Sequence, residues 1–292
     1  MLPFLFFDLR SLISPTPRFV SELLNLAHIP LLLLLSYSFW PGLVQHHSTK
    51  HRALLALIIV TIGISVGVEV AQTLIGRFAS WVDLRRDLLG LTLFIALCPT
   101  LFAASSRFKR ILLPLTLFWL LIECLPFGLF LVDYYHLHAH PHTLSDFESP
   151  GQVSRWSSGK LVNTHRDGHS RALRIPLTID RYSGSKLEHL PRNWSDAKTF
   201  YFEVFNADST PQKLNIKVQD SLSVKEGNDY SMRFNGVQSI QPGWNSINIP
   251  IQAIREAPHH RPMQISDIHS IELFVTNRQT PGYLLVDNLR LR

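Results

Sequence analysis

Four apolar stretches, near residues 21–40, 53–75, 88–105 and 111–132, decide what the first half of this chain can be. Each is long enough to cross about 30 Å of hydrocarbon, because a helix rises about 1.5 Å per residue and a span needs about 17–25 residues. Backbone amides find no water inside a bilayer, so segments of this kind are expected to be helices. Glu22, Asn25, His28 and Pro30 interrupt the first stretch before its leucine run. Met1–Leu9 is apolar but too short to span. Flanked by Asp8 and Arg10, it lacks the pattern of a cleaved signal peptide and is expected to lie at the interface.

The character changes after residue 142. Up to there the chain holds ten Lys or Arg and seven Asp or Glu; beyond it, eighteen and fifteen, so each half supplies +3 of the net +6. No Lys/Arg stripe alternates with aromatics, which argues against nucleic acid as a partner. RALRIPLTI, KTFYFEVFN, KLNIKVQD, NSINIPI, HSIELFVT and GYLLVDNLRL alternate like half-buried strands between turn signals, with one short helix or turn near IQAIREAP. The expected architecture is an α-helical transmembrane bundle of about four helices over 1–133, a His-rich linker over 134–144, and an all-β sandwich over 145–292. Cys98 and Cys124 both lie in apolar runs, where small buried hydrophobes are the plainer reading, and they leave the compartment open.

Charge alone does not orient the bundle. Lys50, Arg52, Arg107, Lys109 and Arg110 fall on one side, against Arg10, Arg18, Arg77, Arg85 and Arg86 on the other. RFKR is the tightest basic cluster, and the second-loop arginines are interleaved with Asp83 and Asp87. On that ground HHSTKHR and RFKR are placed in the cytoplasm and the polar domain outside.

The stretch VEVAQTLIGRFASWVDLRRDLLG, residues 68–90, stands between two apolar runs yet carries Glu69, Gln72, Arg77, Asp83, Arg85, Arg86 and Asp87. Glu69 and Gln72 share a helix face. Ser80 with Asp83 forms a helix-start signal, and Asp83, Asp87 and Gly90 follow along one face. Two readings stay open. Ion pairing by Arg77 would simply close a helical hairpin; alternatively, arginines and a helix N-terminus would bind a phosphate or carboxylate beside an acid/base carboxylate.

At Glu69, Gln72, Arg77, Asp83 and Gly90 the sequence resembles the VanZ-like family of bacterial membrane proteins, over about the first 135 residues, with Asp87 where that family's pattern has Asn. The resemblance implies a cell-envelope setting, with low-level glycopeptide resistance as the namesake's role, and a bacterial inner (cytoplasmic) membrane location, multi-pass, with the C-terminal domain extracytoplasmic. The ordered set DFES, NWSDAKTF, PGWNSINIPI and LLVDNLRL is similar to the galactose-binding-like jelly rolls used as carbohydrate-binding modules, and to the β-domain fused to some VanZ-like proteins.

Sugar binding needs aromatic faces and fixed polar groups. Trp156, Tyr182, Trp194, Tyr230, Arg233, Asn235 and Trp244 are available; Trp194 and Trp244 suit the core of such a sandwich, leaving Tyr182, Tyr230, Arg233 and Asn235 as ligand candidates. Asp146 and Glu148 near the first strand and Asp287 near the last form a candidate structural Ca2+ site. His136, His138, His140 and His142 would share one side of an extended strand, as a weak metal site or a hydrated linker.

Two functions compete. One is a membrane-anchored protein displaying a sandwich that binds an envelope polysaccharide, its partners being the lipid bilayer and that carbohydrate. The other is an enzyme or carrier acting on a lipid-linked phosphate or glycan through Glu69, Arg77 and Asp83.

Overall fold

The computed structural model describes residues 18–74, 80–101, 107–164, 171–227 and 229–292. Arg77 and Met1–Leu9 lie outside these. The chain divides into two compact units, Met1–Gly128 and Leu129–Arg292.

The first unit is helical: α1 (Arg18–Leu26), α2 (His28–His46), α3 (Lys50–Leu74), α4 (Trp81–Leu97) and the first part of α5 (Arg107–Ala139). Among the described residues three helical segments are long and apolar enough to cross a membrane, Glu22–His46, Lys50–Leu74 and Arg107–Ala139. A fourth span, expected at the third stretch, is not confirmed among the described residues. There α4 starts at the Ser80 cap, whose hydroxyl accepts the Asp83 N–H at 3.2 Å, so Asp83, Arg85, Arg86 and Asp87 occupy its first two turns. It stops after 17 residues, because Cys98 precedes Pro99 and is held extended at ψ 116°. Trp40, Ala53, Leu57, Leu91, Phe94 and Cys98 form a core of this unit, with Tyr37 edge-on to Phe94 at 4.8 Å between centroids. Gly90 lets α2 and α4 meet closely: a Cβ there would lie 2.5 Å from the Ile29 carbonyl oxygen and 2.9 Å from Leu32 Cβ. Ile59, Val66, Ile111, Leu115, Phe118, Leu121 and Leu125 face outward, as suits lipid contact and not water.

The second unit is a sandwich of two antiparallel sheets, joined by the last turns of α5. One sheet runs β2 (Lys160–Asn163), β3 (Arg171–Leu177), β10 (Gly282–Leu291), β5 (Thr199–Asn206), β8 (Gly243–Pro250), with β1 (Thr143–Ser145) also paired to β10. The other runs β4 (Tyr182–Leu187), β9 (Ile268–Thr276), β6 (Gln212–Asp220), β7 (Phe234–Ile240). Alternate residues of both point inward: Leu173, Ile175, Phe200, Phe202 and Val204 from the first meet Leu214, Ile216, Val218, Ile271, Leu273 and Val275 from the second. Trp194 is in this core, its indole N–H bonded to the Pro191 carbonyl at 2.8 Å. Two short helices, α6 (Ser221–Lys225) and α7 (Ile251–Glu256), cover the ends. The α5 turns dock on the 3-10 turn Pro150–Arg155, where Arg155 Nε meets Asp133 Oδ2 at 2.9 Å with both side chains about 1% exposed.

The stretch expected as a His-rich linker is helical up to Ala139, which overturns the shared side proposed for its histidines. Helical spacing stacks His136 on His140 at 4.7 Å and His138 on Tyr134 at 4.1 Å.

Asp220, at the end of β6, is the most constrained carboxylate of the sandwich. Burial opposes its charge, but Arg261 at 2.5 and 2.8 Å, the Ser223 hydroxyl and the Gln264 and Ser223 N–H groups outweigh that and hold its pKa at about 2. Its folded value lies below the ordinary one near 3.8, so the stabilisation is complete above pH 4 and is lost as pH falls through 2. Acid titration of unfolding should therefore show about 2 kcal/mol disappearing across that window. Asp220→Asn should flatten the decline; an unchanged slope would show that other carboxylates carry it.

Candidate functional sites

Two places gather chemistry. The first is in the helical unit, at the start of α4. Glu69 Oε2 accepts the Ser80 N–H at 2.7 Å, closing α3 onto the cap of α4. His28, at the start of α2, has Nδ1 3.0 Å from Asp87 Oδ1, while its Nε2 lies 4.0 Å from Asp83 Oδ1. Arg86 Nη1 lies 3.4 Å from Asp83. On α5, the buried Glu123 takes Arg85 Nε at 2.6 Å, Arg85 Nη2 at 3.1 Å and the Trp119 indole N–H at 3.2 Å, with Arg86 Nε at 3.6 Å. Glu69, Gln72 and Asp87 are buried too. Glu69, His28 and Glu123 tie the start of α4 to α3, α2 and α5 in turn, so this network fastens the bundle. The structure thus brings Glu69, Asp83 and Asp87 into one network, places Gln72 one turn along α3 from Glu69, and adds His28 and Glu123, which sequence reasoning missed. The available signal was ionisable side chains inside apolar runs.

The second place is the outward face of the four-stranded sheet. Pairing sets Tyr182 and Gly184 of β4 beside Thr276 and Phe274 of β9, then Asn215 and Lys217 of β6 beside Val237 and Asn235 of β7. Tyr182 stands edge-on to Phe274 at 5.9 Å between centroids and is 59% exposed. Gly184 has no side chain to cover this pair, and a Cβ there would lie 2.1 Å from the Leu273 carbonyl oxygen. At the opposite edge the Arg233 guanidinium lies over the Tyr230 ring at 5.6 Å, and its Nε donates to Asn235 Oδ1 at 3.0 Å. Asn235 Nδ2 donates to the Tyr230 carbonyl at 2.8 Å, so these three form one cluster, with Tyr230 68% exposed. Tyr182 is on the same face but three strands away and level with Ser239, so about 14 Å across the strands and about 13 Å along them separate it from Asn235. Phe274 was not foreseen; its alternation with Leu273 and Val275 marks it as the outward residue of β9. Trp244 lies on the other sheet, against Phe205 at 5.5 Å, and Trp156 is buried against Phe147.

The proposed calcium carboxylates are not brought together. Asp146 accepts the Gln152 amide at 2.7 Å, Glu148 accepts the Arg171 N–H at 3.1 Å, and buried Asp287 accepts the Asn288 N–H at 2.7 Å. Among the described residues no three His, Cys, Asp or Glu are grouped so as to hold a metal ion. Asp146 and Asp287 instead serve a local turn and a bulge, and Glu148 ties to the start of β3.

No protein-family model matches the chain, and no curated protein matches it. Among solved structures, an exo-beta-agarase is 17% identical over 52% of this chain, with a TM-score of 0.42, and a second agarase is 20% identical over 52%, with a TM-score of 0.39. The chain spans only 24% and 26% of the length of these two enzymes. A family 11 carbohydrate-binding module from Clostridium thermocellum, in complex with a beta-1,3-1,4-mixed-linked tetrasaccharide, is 20% identical over 51% of this chain and 94% of its own, with a TM-score of 0.39.

Proposed function

We propose that the protein is held in a membrane by its helical unit and binds a polysaccharide across the outward face of the β4-β9-β6-β7 sheet. The observation that carries this is one exposed sheet face with an aromatic pair, Tyr182 and Phe274, at one edge and the Tyr230–Arg233–Asn235 cluster at the other. Aromatic faces stack on the apolar side of sugar rings while Arg and Asn bond hydroxyls, and a span of about three strands suits an extended chain more than a single sugar. A bacterial inner membrane, with the sandwich displayed toward an envelope glycan, is the setting this reading favours.

The competing phosphate-handling reading is weaker on charge. Among the described residues the helical network counts four carboxylates, Glu69, Asp83, Asp87 and Glu123, against the guanidiniums of Arg85 and Arg86 and the imidazole of His28. Such a balance disfavours a further anion.

The test is retention of the full chain, in lipid nanodiscs, by immobilised polysaccharides in affinity electrophoresis. Tyr182→Ala and Tyr230→Ala should each weaken binding about tenfold, which corresponds to about 1.4 kcal/mol per lost aromatic contact. Retention by none of a broad panel, or equal retention of both variants and the parent, would remove the sheet face from the proposal.

A further inference from the structure

At one end of the sandwich, away from the strands' outward face, the segment before β5, helix α7 and the segment before β9 enclose a cavity of about 560 Å³. Its floor is apolar, made by Ile251, Met263 and Ile265, all buried. Its rim carries Lys198, Arg255, Gln264 and Ser266, and no carboxylate contributes to the lining. Among the described residues neither the Lys198 ammonium nor the Arg255 guanidinium has an ion pair or a side-chain hydrogen bond. Lys186, Lys217, Arg192, Arg261 and Arg278 of the same unit each face a carboxylate within 3.0 Å, while among the described residues Lys160, Lys213 and Lys225, like Lys198 and Arg255, do not. Glu256, next to Arg255 in sequence, is outside the lining and is bonded by the Gln252 amide instead.

We infer that this cavity is a second ligand site, specific for an acidic sugar unit whose carboxylate or sulfate meets Lys198 and Arg255. The apolar floor suits the C–H face of a pyranose ring, and the Gln264 amide and Ser266 hydroxyl suit its hydroxyls. Two cations on one rim without internal partners give an anionic ligand what water alone otherwise supplies, and Arg offers a carboxylate or sulfate a planar fork. The inference rests on the glycan reading for the class of ligand and on the cavity for its charge; it does not use the sheet face.

The experiment titrates the full chain in nanodiscs with an oligogalacturonate, with a neutral galacto-oligosaccharide of equal length, and with inorganic sulfate. The acidic oligosaccharide should bind at least tenfold more tightly than either control, and its affinity should fall as salt is raised. Lys198→Gln and Arg255→Gln, both exposed positions, should each lose about tenfold for the acidic ligand and nothing for the neutral one, with unfolding temperatures unchanged. If acidic and neutral ligands bind alike, or sulfate matches the saccharide, or both variants bind as the parent does, the inference is overturned. Neutral binding that is sensitive to Tyr182→Ala, with no acidic preference, defeats the cavity and keeps the sheet face. Acidic binding lost in the cavity variants and untouched by Tyr182→Ala does the reverse.

Discussion

Asp133→Ala should destabilise the sandwich by about 3 kcal/mol, although Asp133 belongs to a helix and not to a strand. It is the partner of Arg155, both side chains are buried, and removing the carboxylate takes the countercharge from a guanidinium that also donates to the Leu144 carbonyl at 2.7 Å. Breaking a buried pair usually costs about 3–5 kcal/mol; the low end applies because Asp133 Oδ1 is itself buried without a hydrogen-bond partner among the described residues. Replacing both Asp133 and Arg155 with Leu should recover most of the loss, since no charge then remains to be solvated. A fragment of residues 140–292 should behave like Asp133→Ala, and one of residues 129–292 like the parent unit. Urea unfolding followed by the fluorescence of buried Trp156 and Trp194 reads all four. A loss below about 1 kcal/mol in Asp133→Ala would mean that water reaches Arg155.

Glu123→Leu is the second large effect. One carboxylate there answers Arg85, Arg86 and the Trp119 indole, so its removal strands two guanidiniums in an apolar unit. Arg85 is about half exposed and can turn to solvent or headgroups, whereas Arg86 is 14% exposed and cannot do so without moving α4. We expect a loss of about 3 kcal/mol, seen as a lower melting temperature in detergent and less folded protein in the membrane. Glu123→Gln, which keeps an acceptor for Trp119, should lose less. Wild-type behaviour of both variants would show that the network does not fasten the bundle.

The sandwich was legible where its strands alternate cleanly. RALRIPL, TFYFEVFN and IELFVT each place apolar residues at every second position, and they became β3, β5 and part of β9. YSGSKL and FNGVQSI were not read as strands, because Ser183, Ser185 and Gly236 fill inward positions that larger apolar residues occupy elsewhere. Of the ligand candidates Tyr182 and Tyr230, the first opens an edge strand and the second stands on a 3-10 turn. Helix α4 announced its start through Ser80 and Asp83, since a cap is a local signal. His28 with Asp87 and Arg85 with Glu123 are 59 and 38 residues apart, and no spacing rule reaches that far. The three calcium candidates are not grouped among the described residues, for a related reason. Adjacency of the first and last strands was read properly, but the bulge around Asp287–Arg290 and the turn holding Asp146 direct their carboxylates to local amides.

The place of β10 governs how this protein is made. It lies inside its sheet, with β1 and β3 on one side and β5 on the other, and supplies Leu284, Val286 and Leu289 to the core. As the chain leaves a ribosome, β3 and β5 emerge long before the strand that must come between them. Until residue 291 has been made, both present unpaired edges and an open apolar face, the condition under which strands pair with the wrong neighbour. Folding of the sandwich therefore waits for β10 and is slow in rate, as expected for a topology ruled by distant contacts. Deleting β10 would remove a central strand and leave no sheet to close.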